Sequence, residues 1–367
     1  MIIGIPKEIK KDENRISVIP GAVLSLVQDG HRVLIQQGAG LGSNISDEEF
    51  SKAGGEIVPT IEDVYGQADL IYKVKEPQVE EYDLLREGQI LFAFLHLAAE
   101  PEVTQVLMQK KVVAFAYETI EVNGSIPILA PMSEVAGRMA TQVGAHFLEK
   151  ANSGKGIMLG GVPGVAPAEV TVIGGGIVGV NAAKIAAGMG ARVTILDIDT
   201  QRLRYLDDMF RGRLLTLASN PYNISLAVAR TDLLIGAVLI TGAKAPKLCS
   251  EEMVKSMEPG SVIVDVAVDQ GGCVETIDRT SCHSDPIYEK CGVLHYAVPN
   301  MPGAVPLTST YALSNVTLPY ALELAQKGYL QVIEENSPLS MGLNVFDGNI
   351  VHKAVAEALE LPFVASC

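Results

Sequence analysis

Short apolar, β-branched runs alternate with amphipathic stretches along the first 125 or so residues. The runs at 2–5, 32–36, 69–74, 89–95 and 112–117 read as strands. Between them, residues 20–28 carry Val23, Leu24 and Val27 at helical spacing, and 46–53 open with Ser46 and Glu49 at capping-box spacing. Residues 61–65 and 101–110 are further helical stretches. Strands alternating with helices predict a mostly parallel sheet with helices on both faces.

The segment 126–132 holds two prolines and marks a crossing point. Residues 133–150 then read as a long helix, with Ser133 as its N-cap and Val135, Met139, Val143 and Phe147 at four-residue steps. A glycine-rich linker, 154–164, leads into a second alternating block with strands at 170–173, 192–196, 233–239, 262–268 and 293–297. Residues 308–326 predict another long helix, kinked near Pro319, which cannot donate to the helix ladder. The expected fold class is α/β: two Rossmann-like domains with parallel doubly wound sheets, joined by two long helices that act as hinges. The first domain is discontinuous, 1–126 plus 307–367, and 127–306 is inserted into it.

The length of 367 residues accommodates two such domains, and 48% apolar residues exclude a disordered chain. A formal net charge of −15 argues against nucleic acid and against an anionic membrane surface. No apolar run approaches the roughly 20 residues of a membrane helix, and the N-terminus does not read as a signal peptide. Five cysteines without a CxxC pair fit a reduced, cytoplasmic setting. The excess acid lies mostly in the first and last segments, and the inserted block is nearly neutral.

The strongest local signal is E-V-T-V-I-G-G-G-I-V-G-V-N-A-A-K, which follows a strand and opens an Ala-rich helix. It places Gly174, Gly176 and Gly179 in a G-x-G-x-x-G pattern. Asp197 ends the next strand about 20 residues on, where a carboxylate reaches an adenosine ribose. The glycines suit a tight turn, close approach of a pyrophosphate and close helix–strand packing, with the phosphates on the helix N-terminus. The Asp197 carboxylate repels a 2′-phosphate, so the expected cofactor is NAD, bound by the inserted domain.

Ligands in open parallel sheets bind beyond the carboxyl ends of the strands. Arg15 follows the first strand, Lys75 the run A-D-L-I-Y-K-V-K, and His96 ends Q-I-L-F-A-F-L-H. Singly, Arg15 and Lys75 read as surface cations and His96 as a structural histidine. Together at one rim they suit a small anion, with His96 as acid and base near neutral pH. In the inserted block, S-V-I-V-D-V-A-V-D-Q-G-G puts Asp265 inside a strand and Asp269 at its end. Asp269 is either a turn acid or a carboxylate that positions water or ammonium. No metal cluster and no nucleophile elbow is seen.

The stretches I-I-G-I-P-K-E-I-K-K-D-E-N-R-I-S, K-V-K-E-P, L-F-A-F-L-H-L-A, G-G-V-P-G-V, D-Q-G-G-C and N-M-P-G-A-V-P resemble bacterial L-alanine dehydrogenase along nearly the whole chain. The resemblance implies reversible, NAD-dependent deamination of L-alanine to pyruvate and ammonia by a homo-oligomer, usually a hexamer. It implies Arg15 and Lys75 as substrate-binding residues, with Arg15 clamping the carboxylate bidentately, and His96 and Asp269 as the catalytic pair. Implied cofactor contacts are Ser133, Ile177, Val178, Asp197, Arg202, Ser219, Val238, Leu239, Val266, Ala267, Val268, Asp269, Arg279, Val298, Pro299, Asn300 and Met301. Arg279 lies in a segment that departs from the family. The same fold occurs in the NAD-binding soluble module of proton-translocating transhydrogenase, the alternative reading.

Overall fold

The computed structural model describes residues 1–238 and 245–365. From the N-terminus the elements are β1 (Ile2–Ile5), α1 (Pro20–Gln28), β2 (Arg32–Gln36), α2 (Asp47–Lys52), β3 (Glu56–Val58), α3 (Ile61–Gln67), β4 (Leu70–Tyr72), β5 (Ile90–Ala93), α4 (Pro101–Gln109) and β6 (Val113–Ala116). Helix α5 (Ala130–Phe147) follows. The next block holds β7 (Glu169–Ile173), α6 (Ile177–Gly188), β8 (Arg192–Asp197), α7 (Thr200–Phe210), β9 (Leu214–Ala218), α8 (Pro221–Val228) and β10 (Leu233–Gly236). It continues with α9 (Glu251–Lys255), β11 (Val262–Asp265), β12 (Ile287–Lys290) and β13 (Val293–Tyr296). The chain closes with α10 (Pro306–Glu334), β14 (Leu343–Phe346), β15 (Asn349–Ile350) and α11 (Lys353–Ala358).

The described residues form two compact units, one of 1–132 plus 303–365 and one of 133–302. In the first, the strand order is β15-β14-β6-β5-β4-β1-β2-β3. Strands β1 to β6 are mutually parallel, and β14 and β15 pair antiparallel at one edge. Alternate residues of each strand enter two separate cores, as a two-residue period requires. Val33 and Ile35 face one with Tyr72, Phe92 and Phe115; Leu34 faces the other with Ile71, Leu91 and Ala114.

The second unit has the order β12-β13-β11-β10-β7-β8-β9, parallel except for β12. Numbering the parallel strands of either sheet from its own start gives the doubly wound order 3-2-1-4-5-6. The topological switch therefore falls between β1 and β4 in one sheet and between β7 and β10 in the other. The two sheets are α/β as expected, but each carries antiparallel edge pairing that the sequence pattern did not announce.

Other expectations are corrected. Ser133 is not an N-cap: α5 begins three residues earlier, with Pro131 in its first turn, where a missing N–H costs nothing. The run 262–268 is not one strand, because β11 stops at Asp265 and a 3-10 turn, Val266–Gln270, replaces its end. Asp265 therefore ends the strand, and Asp269 sits on the turn. Helix α10 passes Pro319 and departs from helical geometry at Gly328 instead, where φ is 73° and ψ 162°. That left-handed φ is tolerated by glycine and marks the true break.

Candidate functional site

In the first unit, β1, β4 and β5 are adjacent and parallel, so their carboxyl ends share one rim at the switch point. The structure brings Arg15, Lys75 and His96 to it. Lys75 Nζ lies 3.5 Å from His96 Nε2. Burial pushes the Lys75 ammonium below its ordinary value, and the positive charge of Arg15 pushes it the same way. Burial likewise lowers His96; Glu118 opposes that, and Lys75, Lys10 and Arg15 add to it. An imidazole held neutral beside cations has a lone pair available to accept a proton.

Arg15 is buried, at 3% exposure. Glu13 engages one edge of its guanidinium, with Nε donating to Oε1 at 2.6 Å and Nη2 to Oε2 at 2.5 Å. Nη1 donates to the Met132 sulfur at 3.1 Å. Burial alone would raise Glu13, but the Arg15 hydrogen bonds and charge outweigh it and hold the carboxyl below the usual range. A bidentate clamp on a ligand carboxylate cannot use the Nε–Nη2 edge while Glu13 occupies it.

Four carboxylates to which the sequence reading gave no role hold the backbone of the chemistry-bearing segments. The Arg15 N–H donates to Glu13 Oε1 at 3.1 Å. Val74 N–H donates to Glu8 Oε1 at 2.6 Å, with Lys75 N–H at 3.5 Å from the same oxygen. His96 N–H donates to Glu118 Oε1 at 2.5 Å and Leu95 N–H to its oxygens at 3.3 Å. In the second unit, Asp265 accepts from Ala267 N–H at 3.0 Å, Cys273 N–H at 2.8 Å and Val274 N–H at 3.1 Å. It thereby ties both ends of the turn carrying Asp269, and burial raises its own carboxyl. Nothing in the residue pattern distinguishes Glu8, Glu13 and Glu118 from solvated acids; their partners are backbone and side-chain groups that the fold brings to them.

His96 has φ of 50°, a left-handed value that costs a non-glycine residue about 1–3 kcal/mol. Its ring stacks on Phe94, with centroids 5.9 Å apart and planes 4° apart. Behind the rim lies a buried charge network. Lys73 Nζ donates to Glu81 at 2.7 and 2.8 Å and lies 3.5 Å from Glu8, and Tyr65 OH donates to Glu81 at 2.8 Å. Burial raises the Glu8 carboxyl to about 7, against the pull of Lys73.

In the second unit, Gly174 follows β7 with φ of 103°, and a Cβ there would lie 2.5 Å from Ala237 O. A Cβ on Gly179 would fall 1.8 Å from Gly174 O, whereas a Cβ on Gly176 would meet nothing within 4 Å. Close packing at the first and third glycines, with open space at the second, suits backbone that a pyrophosphate approaches. Gly176 is the N-cap of α6, and Ile177 and Val178 open the helix. Asp197 ends β8, and its carboxylate accepts from Gly175 N–H at 2.6 Å and Asp199 N–H at 2.8 Å. Arg202 Nε donates to Gly175 O at 2.6 Å, and Ser219 N–H to Asp197 O at 2.8 Å. Asp197, Arg202 and Ser219 thus converge on the glycine loop.

Helix α5 lies on α6: a Cβ on Gly137 would sit 2.2 Å from Val178 O, and Thr141 donates to Ala182 O at 2.8 Å. Ser133 is one turn before Gly137 on that helix. Val238 follows β10 beside the glycine loop; Leu239 lies outside the described residues. Val266, Ala267, Val268 and exposed Asp269 form the turn after β11, and Val298 to Met301 follow β13, with Pro299 and Asn300 half-exposed. Arg279 stands apart, exposed, its guanidinium 4.5 Å over the Tyr288 ring of edge strand β12.

Among the described residues, no three His, Cys, Asp or Glu side chains gather closely enough to hold a metal ion. No helix among them is long and apolar enough to cross a membrane. The buried histidine, His295, is satisfied within the core by Thr276 at 2.7 Å and Val293 O at 2.9 Å.

Comparison with known proteins assigns both halves. Residues 4–136 match the alanine dehydrogenase/PNT N-terminal domain, and 140–353 match the alanine dehydrogenase/PNT C-terminal domain. The chain is 60% identical to an alanine dehydrogenase of Methanococcus maripaludis, covering 99% of this chain and 98% of that one. It is 58% identical to an alanine dehydrogenase of Bacillus subtilis, covering 99% and 96%. A solved L-alanine dehydrogenase superposes with a TM-score of 0.95 at 50% identity, covering 98% and 99%. A transhydrogenase from Sinorhizobium meliloti superposes with a TM-score of 0.82 at 24% identity, covering 96% and 100%, and so shares the fold. With both domains matched and full-length relatives this similar, the chain belongs to the alanine dehydrogenase/PNT family.

Proposed function

We propose that this chain is an L-alanine dehydrogenase, interconverting L-alanine with pyruvate and ammonia with NAD as cofactor. One observation carries the reading: Lys75 and His96 meet at the switch-point rim, within electrostatic reach of Arg15, in a chain of this family. NAD, when bound, accepts the substrate hydride. The glycine loop and α6 N-terminus would hold its pyrophosphate, and Asp197 its ribose hydroxyls. Ser133, Arg202, Ser219, Val238, Leu239, the 266–269 turn, Arg279 and the 298–301 segment complete the proposed cofactor contacts.

Arg15 binds the substrate carboxylate, and Lys75 adds charge beside it and polarises the ketone oxygen. His96 is the acid–base group: it takes a proton in the oxidative direction and returns it in the reductive one. Asp269 orients ammonia or water toward the imine or carbinolamine carbon. We further propose a cytoplasmic homo-oligomer, a hexamer, acting in L-alanine catabolism. The transhydrogenase alternative gives no use to Arg15, Lys75, His96 and Asp269 together.

Mixing the protein with pyruvate, ammonium and NADH should consume NADH, followed by its absorbance between pH 7 and 10. No turnover anywhere in that range would sink the proposal. The cofactor assignment has its own test. Asp197→Ala should weaken NAD about tenfold or more and narrow its advantage over NADP, since a charge-assisted hydrogen bond of about 1.5–3 kcal/mol is lost together with the repulsion of a 2′-phosphate. An unchanged NAD:NADP ratio of kcat/KM would remove Asp197 from the ribose.

A further inference from the structure

We propose that Glu118 is a positioning residue for His96, fixing the backbone turn that aims the imidazole and setting a carboxylate beside its Nδ1. The inference rests on His96 being the acid–base group. Glu118 follows β6, whereas His96 follows β5, so parallel pairing of the two strands delivers the carboxylate to its neighbour's end. There it accepts two successive backbone N–H groups, those of Leu95 and His96. Two converging amides on one carboxylate suit the left-handed turn at His96, which few non-glycine residues adopt unaided.

The imidazole then lies between unlike charges. Nδ1 is 4.0 Å from Glu118 Oε1, and Nε2 is 3.5 Å from Lys75 Nζ. An anion on one side and a cation on the other favour the tautomer with its proton on Nδ1. That leaves the Nε2 lone pair on the Lys75 side, where a substrate proton would be received. The charged groups felt by His96 are Glu118 after β6, Lys75 after β4, and Lys10 and Arg15 after β1. Three of the four are cations. Glu118 is the anion that keeps His96 from being driven still further below its ordinary range, where it would be a weak base.

The test uses the full-length enzyme and two readouts. The first is the titration of the His96 ring by NMR in histidine-labelled protein, which does not depend on turnover. The second is the pH profile of kcat/KM for alanine oxidation. Glu118→Gln keeps an acceptor for the amides and removes the charge. Its His96 titration and the acid limb of its profile should both move to lower pH, because the base must be neutral to act and now stays neutral further down. Glu118→Ala also frees the backbone, and should lose about 10–100-fold in kcat, the scale of an ångström-sized misplacement.

A His96 titration unmoved by Glu118→Gln would overturn the proposal. So would a Glu118→Ala enzyme with unchanged kcat. If the titration moves while the acid limb does not, Glu118 sets the ring but His96 is not the base, and it is the functional reading that fails. Should Glu118→Gln not fold, Glu118→Asp serves: charge retained with shorter reach predicts an unmoved titration and a lowered kcat, and the opposite pattern overturns the assignment.

Discussion

Replacing His96 with alanine should cost about 10²–10⁴-fold in kcat while leaving NADH binding intact. The magnitude is that of a positioned general acid–base group. The separation of effects follows from the fold. His96 belongs to the rim of the first sheet, whereas the glycine loop, Asp197, Arg202 and Ser219 belong to the second unit. No described hydrogen bond of His96 reaches them. The measurement is direct, because the chain has no tryptophan and NADH fluorescence is read without indole emission. Retained kcat would remove His96 from the chemistry. A lost NADH affinity would place it in cofactor binding instead.

The residue pattern alone supports that expectation, and it shows much of the frame as well. The strands β1, β2, β4, β5 and β6 stand where short β-branched runs stand, and the Ser46–Glu49 capping box forms as spaced. Local periodicity and capping are properties of a few neighbouring residues, and sequence states them. Partners far along the chain are another matter. Strands β12, β14 and β15 exist by pairing antiparallel at sheet edges, and β3 by lying beside β2. The apolar run 262–268 reads as one strand until Asp265 takes the Ala267 amide and turns the chain. Proline and glycine in α10 mislead in the opposite sense: the proline is absorbed and Gly328 breaks the helix.

The site divides the same way. Arg15, Lys75 and His96 are legible because each stands just past the carboxyl end of an apolar run. The acids that hold them are not, since Glu8, Glu13 and Glu118 differ from surface carboxylates only in their surroundings. Lys73 is the sharpest instance. It sits two residues from Lys75 in the same run, and nothing in the residue pattern says that it is enclosed. Burial separates them: Lys73 is fully enclosed and ion-paired, whereas Lys75 reaches His96 at the rim.

Lys73→Met should therefore be among the most destabilising substitutions in the chain, by about 3–5 kcal/mol, read as a fall in the denaturation midpoint at fixed protein concentration. Lys73 and Glu81 are fully buried and Glu8 nearly so. Methionine fills the space but leaves two enclosed carboxylates facing each other without a cation. Burial disfavours the Lys73 charge, yet Glu8 and Glu81 outweigh it and hold the ammonium above its ordinary value. The pH dependence fixes the sign. Glu8 titrates at about 7 when folded against 4.5 as the ordinary value. Its contribution to stability is thus full below 4.5 and is lost as pH rises through 7. Without Lys73 the folded-state value of Glu8 rises further, because the cation that pulls it down is gone, so the deficit of the variant should widen from about pH 5 to about pH 8. Glu8→Gln supplies the contrast. It keeps an acceptor for the Val74 amide, removes one buried charge and leaves Lys73 paired with Glu81, so it should be nearly neutral at about pH 5 and stabilising at about pH 8. A Lys73→Met deficit under about 1 kcal/mol, or one that narrows with rising pH, would show that the cation does not hold these carboxylates in the folded state.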